Sequence, residues 1–212
     1  MLGIKLLNRR GREAMENKLT LNDVRRQIGR NMTGGLSRVL AKSRLSPNAV
    51  TWMGFLITLG AAYLVGTGAL LAGGLVFLFS SFFDMLDGAL ARATGKVTRF
   101  GGILDATLDR LSEAAVLVGI IVYFAPDGNP WPVALAGATL AGSLTVSYLR
   151  ARSEAAGLEG KEGIFTRPER VIVLGLGLVT GWLVPALLVV CVLSYVTVAQ
   201  RLSSAYRQLG GK

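Results

Sequence analysis

Residues 84–109 read DMLDGALARATGKVTRFGGILDATLD, and four aspartates, Asp84, Asp87, Asp105 and Asp109, stand there at the edges of long apolar stretches. Upstream, residues 45–83 carry no charge; downstream, from Ala114 to Leu149, the sole charge is Asp127. A carboxylate in a membrane helix costs about 2.5–3.5 kcal/mol on insertion scales, so four at helical spacing point to function. Spacings of three and four put each pair on one face of its helix. Two such faces turned toward each other make a pocket of oxygen ligands, which suits hard divalent cations.

Composition agrees with the membrane setting. Of 212 residues, 51% are hydrophobic and 17% charged, and mean hydropathy is +0.50. These values exclude an ordinary soluble domain. The net charge is +10 and histidine is absent, so carboxylates must supply any metal ligand or general base. The single cysteine, Cys191, excludes an intrachain disulfide and reads as a small buried hydrophobe. Residues 1–47 are polar and basic, with no apolar stretch resembling a signal peptide.

The uncharged run 45–83 is too long for one helix across a hydrocarbon core of about 30 Å. Gly66-Thr67-Gly68 divides it into spans of about 49–66 and 69–91. Pro126-Asp127-Gly128-Asn129-Pro130 is a turn, because Pro fixes φ and Gly permits positive φ; it separates spans of about 102–124 and 131–152. The last uncharged run, 171–200, fits one overlong helix or two short ones hinged at Gly181-Trp182-Leu183-Val184-Pro185. Charge decides between them. With six spans, all 23 Lys and Arg residues fall in 1–47, 92–110, 150–170 and 201–212, on one side of the membrane. Trp131 and Trp182 then sit at the opposite interface. The positive-inside rule places that basic side, both termini and the aspartates in the cytoplasm.

The fold expected is therefore an all-α integral membrane protein of six transmembrane helices in the cell membrane. Residues 1–47 form a basic arm with an N-terminal juxtamembrane amphipathic helix, and residues 48–212 form the six-span domain. In the arm, Leu36, Val39 and Leu40 share a face flanked by Arg38, Lys42 and Arg44, as suits a helix lying on anionic lipid. No nucleic-acid partner is expected.

Four carboxylates balance the charge of two divalent ions, and paired metals clamp the attacking and leaving oxygens of a phosphoryl displacement. Gly88, Ala91 and Gly101 allow close approach of ligand or helix, and the Arg92 guanidinium suits phosphate oxygens. The set predicts metal-assisted phosphoryl transfer on a diphosphate-bearing ligand. A cation pathway, as in a carrier, is the other class of reading for intramembrane carboxylates. Arg110 and Glu113, three residues apart, read as a helix-surface ion pair.

The pattern Asp84-x2-Asp87-Gly88-x2-Ala91-Arg92-x8-Gly101-x3-Asp105-x3-Asp109 matches in every fixed position the signature of the CDP-alcohol phosphotransferase family, which the chain resembles over roughly residues 36–207. The resemblance implies transfer of a phosphatidyl or similar group from a CDP-linked donor to an alcohol, with release of CMP. It implies that Asp84 and Asp105 contact both metals, that Asp87 completes the first site, and that Asp109 completes the second and acts as general base. Magnesium is the metal expected, with manganese as the alternative. Gly88 and Arg92 would hold the CDP diphosphate and Thr98 would add a hydroxyl contact. Pro47-Asn48-Ala49-Val50 resembles the segment lining the cytidine pocket; Pro47 and Asn48 also suit a helix start.

For the acceptor, Arg150, Arg170 and Arg201 reach the same face in the six-span arrangement. Three converging guanidiniums would bind an anionic, phosphorylated acceptor, although positive-inside decoration needs no site. The stretches Ser147–Ala155, Arg167-Pro168-Glu169-Arg170 and Gln200-Arg201-Leu202 resemble the phosphatidylinositol phosphate synthase branch of the family. That likeness implies inositol phosphate as acceptor, CDP-diacylglycerol as donor, and Arg152 and Arg167 in support of the three arginines. Archaeal synthases of archaetidylinositol phosphate look similar here, which leaves the lipid of the donor open, and glycerol 3-phosphate is the alternative acceptor. The family likeness also implies a homodimer.

Overall fold

The computed structural model describes residues 46–95, 97–158 and 163–210; of residues 82, 85–87, 89 and 93 it describes the backbone alone. Among the described residues there are six α-helices and one 3-10 turn, and no strand. The helices are α1 (Pro47–Gly66), α2 (Leu70–Thr94), α3 (Arg99–Phe124), α4 (Pro130–Ala155), α5 (Arg167–Thr180) and α6 (Leu183–Gly210). The expected juxtamembrane helix and the basic arm lie outside the described residues.

Each expected break is present. Gly68, Gly128 and Gly181 have φ of +90°, +68° and +77°, so each supplies the left-handed backbone its turn requires. The run 171–200 is two helices, α5 and α6, parted at Gly181. Helix starts are equally local. Ser46 caps α1 by accepting from Ala49 N at 3.2 Å, with Pro47 in the first turn. Thr166 and Glu169 form a capping box on α5, the Glu169 carboxylate accepting from Thr166 N at 2.8 Å.

Helices α1, α4 and α6 are long and apolar enough to cross a membrane; the described apolar run of α2 is the shorter Leu70–Ser81. Leu56, Phe79, Val122, Leu176 and Val192 point outward and are exposed, an apolar surface that water would not favour.

The six helices close a ring in the order α1, α2, α5, α6, α4, α3, and α3 returns to α1. Although joined by a short loop, α2 and α3 touch only marginally, because α1 packs against both. Close approach is achieved at glycines: a Cβ on Gly119 of α3 would lie 2.5 Å from the Ala62 carbonyl oxygen of α1. The main apolar core, with Val65, Phe77, Ile120, Leu135, Leu178 and Leu187, draws on all six helices in the half that holds the three glycine turns. The opposite half, where α2 ends and α3 begins, holds the charged residues described, apart from Asp127 in the turn before Gly128.

Candidate active site

Asp84 sits near the end of α2, and Asp105 and Asp109 lie in the first turns of α3. Gly54 of α1 leaves room for the first of these, since a Cβ there would stand 3.0 Å from Asp84 Oδ1. Arg167, the first residue of α5, joins the two sides. Its Nη2 donates to Asp84 Oδ2 at 2.6 Å and its Nη1 lies 3.0 Å from Asp109 Oδ1. The side chain of Asp87 lies outside the described residues, though its backbone continues α2.

Two cavities open beside this cluster. The first, of about 270 Å³, runs between the starts of α1 and α3 and the end of α2, and it is lined by Pro47, Asn48, Thr51, Gly88, Arg92, Thr98, Gly101 and Asp105 among others. The residues expected to hold a CDP-linked donor therefore come together, with two exceptions. Val50 is 2% exposed and packs with Leu90 and Phe83, and Ala49 does not line the cavity. Successive helical residues turn by about 100°, so Pro47 and Thr51 share a face that Ala49 and Val50 leave. Thr51, which the sequence reading missed, was signalled by that spacing of four from Pro47. Because Ser46 caps α1, the Asn48 amide is left for the cavity. A Cβ on Gly101 would stand 3.2 Å from Asn48 Oδ1 and 2.9 Å from Thr98 Oγ1, so glycine there lets α1 and α3 meet. Thr98 is also the cap of α3, accepting from Gly101 N at 2.9 Å, and its hydroxyl proton remains for donation. The Arg92 guanidinium lies beside Gly88, with Nη1 3.3 Å from where a Cβ would be.

The second cavity, of about 390 Å³, is lined from α3, α4, α5 and α6. Asp105 and Asp109 form part of its wall, as do Arg110, Arg150, Arg167, Arg170 and Arg201, with Glu154 the third carboxylate. Five arginines and three carboxylates line this wall, and two more carboxylates stand just outside it, Glu113 on Arg170 and Asp84 on Arg167, so the wall offers an anionic ligand several guanidinium donors rather than a net charge. Arg150, Arg170 and Arg201 thus converge as expected. Arg152 does not: it is exposed and outside the wall, because two residues along a helix turn the side chain by about 200° from Arg150. Arg167 reaches the cavity, but its guanidinium is held by Asp84 and Asp109.

The arginines differ in their holding. Arg150 is half exposed and paired with Glu154 at 2.9 Å, an i,i+4 pair on α4. Arg201 is 6% exposed, and its Nη1 donates to the Val146 carbonyl at 2.5 Å. Arg170, 1% exposed, makes a two-pronged bond to Glu113, Nε to Oε1 at 2.6 Å and Nη2 to Oε2 at 2.8 Å. This corrects the expected surface pair of Arg110 and Glu113: Glu113 is buried against Arg170 and Ser143, and Arg110 donates to the Ala106 carbonyl on its own helix. Spacing along α3 allowed the pair, but a buried carboxylate takes the partner that approaches from another helix.

Whether the aspartates suit divalent metal can be read from Asp105. Its Oδ1 is buried and has no hydrogen-bond partner among the described protein groups, which leaves an open position that a metal cation fits. Among the described residues no three carboxylates close on one point; the Arg167 guanidinium lies between Asp84 and Asp109. The donor set is all oxygen, which fits magnesium or manganese.

The sequence profile of one family, described as CDP-alcohol phosphatidyltransferase, matches residues 44–200. An archaetidylinositol phosphate synthase of Pyrococcus horikoshii is 40% identical over 175 residues, 82% of this chain and 90% of that protein. A phosphatidylinositol phosphate synthase of Mycobacterium tuberculosis is 38% identical over 190 residues, 84% of this chain and 88% of that protein. The crystal structure of the Mycobacterium tuberculosis phosphatidylinositol phosphate synthase with CDP-DAG bound is similar at a TM-score of 0.76 and 36% identity, over 83% of this chain and 94% of that one. The same enzyme in complex with manganese and citrate gives a TM-score of 0.76 and 37% identity, over 82% and 88%.

Proposed function

Because the chain belongs to the CDP-alcohol phosphatidyltransferase family, we propose that it transfers a phosphatidyl group from CDP-diacylglycerol to inositol phosphate, giving phosphatidylinositol phosphate and CMP. The observation that carries this reading is the meeting of the two cavities at Asp105, which lines both. A donor site and an acceptor site that share one carboxylate wall bring two substrates to one reacting centre.

In the first cavity Asn48 would bind the cytidine end of the donor, and Gly88 and Arg92 its diphosphate, with Thr98 adding a hydroxyl contact. Asp84, Asp87, Asp105 and Asp109 would hold two divalent cations, magnesium or manganese, which supply Lewis-acid stabilisation of phosphoryl oxygens. In the second cavity Arg201, Arg170 and Arg150 would receive the acceptor's phosphate. Asp109 lies in that cavity's wall, where it would take the proton of the acceptor hydroxyl. The freed oxygen attacks the phosphorus nearer the diacylglycerol; the bond from that phosphorus to the CMP oxygen breaks and CMP leaves.

All six helices would cross the bilayer, with the charged half and both termini cytoplasmic. The support is the distribution of basic residues together with the exposed apolar surface of the helices. Donor acyl chains would then enter sideways from the lipid. A homodimer belongs to the same proposal. The Pyrococcus horikoshii relative favours one variation, an archaeal lipid on the donor with the same acceptor.

The test is CMP release by purified protein given CDP-diacylglycerol and magnesium, with inositol phosphate, glycerol 3-phosphate or free inositol as acceptor. Release with inositol phosphate alone is expected. Release with glycerol 3-phosphate alone would keep the family chemistry and discard the acceptor assigned here.

A further inference from the structure

Behind the wall of the acceptor-side cavity lies a carboxylate with no part in the scheme above. Glu113 is 5% exposed and is not among the residues lining the cavity, whereas Arg170, bound to it through two nitrogens, is. Ser143 of α4 donates its hydroxyl to the same carboxylate. Three helices meet at this node: α3 through Glu113, α4 through Ser143 and α5 through Arg170.

A two-pronged bond fixes the plane of a guanidinium as well as its position. The pair is neutral as a unit, so Arg170 offers the cavity a directed donor rather than a bare charge. Glu113 follows Asp109 by four residues, and Asp105 precedes it by four, which sets all three carboxylates on one face of α3. One rigid helix thus carries both the carboxylate that would deprotonate the acceptor and the carboxylate that aims the arginine beside it.

We infer that Glu113 is a positioning residue for the acceptor: through Arg170 it sets where the acceptor's phosphate rests relative to the hydroxyl that Asp109 deprotonates. The inference rests on the proposed reading in that Arg170 must meet that phosphate. A pair that merely held helices together would be interchangeable with apolar side chains of similar volume. A pair that aims a donor is not.

The experiment measures CMP release by the full-length protein with magnesium, determining KM separately for inositol phosphate and for CDP-diacylglycerol. Glu113→Gln keeps the size and removes the charge-assisted fork, so acceptor KM is expected to rise about tenfold or more while donor KM stays within about twofold. Ser143→Ala removes one neutral bond to the same carboxylate, for an acceptor KM increase of about threefold. If both KM values rose together, or neither moved, Glu113 would be structural and the inference would be overturned. Should Glu113→Gln not fold, Glu113→Asp decides, because it keeps the charge beside Arg170 but withdraws the carboxylate by one methylene and spoils the two-pronged geometry. That variant is expected to raise acceptor KM by about threefold or more while donor KM stays within about twofold; an unmoved acceptor KM would overturn the inference. Failure of the acceptor assignment gives a different result. Wild-type turnover with glycerol 3-phosphate alone would replace inositol phosphate, and the same split of KM values, read with glycerol 3-phosphate, would still support or overturn the role of Glu113. Turnover with free inositol alone, which has no phosphate, would overturn both.

Discussion

At Asp105 one carboxylate faces two cavities with a buried oxygen that no protein group satisfies. That combination predicts strict metal dependence: treatment with a chelator is expected to abolish CMP release, and magnesium or manganese to restore it. Turnover surviving in chelator would remove the two-metal reading. Asp109 differs in facing the acceptor side alone. Asp109→Asn is expected to lower kcat by about 10²–10⁴-fold, the usual worth of a positioned base; undiminished kcat would end that assignment. The arginines are graded by burial. Arg201, buried and anchored on the Val146 carbonyl, is expected to matter to acceptor KM by about tenfold on change to Ala, as for a hydrogen bond to a charged group. Arg150, half exposed and screened by solvent, is expected to change it by less than about threefold. Equal effects from the two would show that burial does not rank them.

At the scale of the helix, sequence and structure agree where the cause is local. The breaks at Gly68, Gly128 and Gly181 depend on residues within a few positions of one another; the capping box of Thr166 and Glu169, which the sequence reading did not single out, is equally local. Ala49, Val50 and Arg152 show the limit of that reading. A contiguous motif was carried onto a helix as a block, yet only the residues on the cavity's face of the helix reach it. Packing between helices brings its own expectation. Gly119→Ala sets a Cβ 2.5 Å from a backbone oxygen of α1, which must move, whereas a Cβ on Gly60 meets nothing within 4 Å. Thermal unfolding in detergent is expected to show Gly119→Ala destabilised by about 1–3 kcal/mol, the cost of overpacking, and Gly60→Ala close to wild type. Equal melting temperatures would show that α3 yields to the extra methyl.

For the whole molecule, the ring of helices divides the protein into an apolar half, which packs, and a charged half, which holds both cavities. The orientation proposed for it in the bilayer rests on charge. In a protein with Cys191→Ala, an impermeant thiol reagent added outside intact cells is expected to label Asp127→Cys and to leave Ala156→Cys unmodified. The reverse pattern would invert the topology and put the active site outside. The sequence alone determined the helices, their breaks, the aspartate set and the family, because each of these follows from composition, spacing along one helix or a gapped motif. Which charged groups pair was decided only by tertiary structure. Arg167 lies on Asp84 and Asp109, and Glu113 turns from its helix neighbour Arg110 to Arg170, 57 residues away. A buried carboxylate must find a cation wherever the fold brings one within reach. That reach is a property of how α3 and α5 meet inside the ring, which no spacing along the chain records.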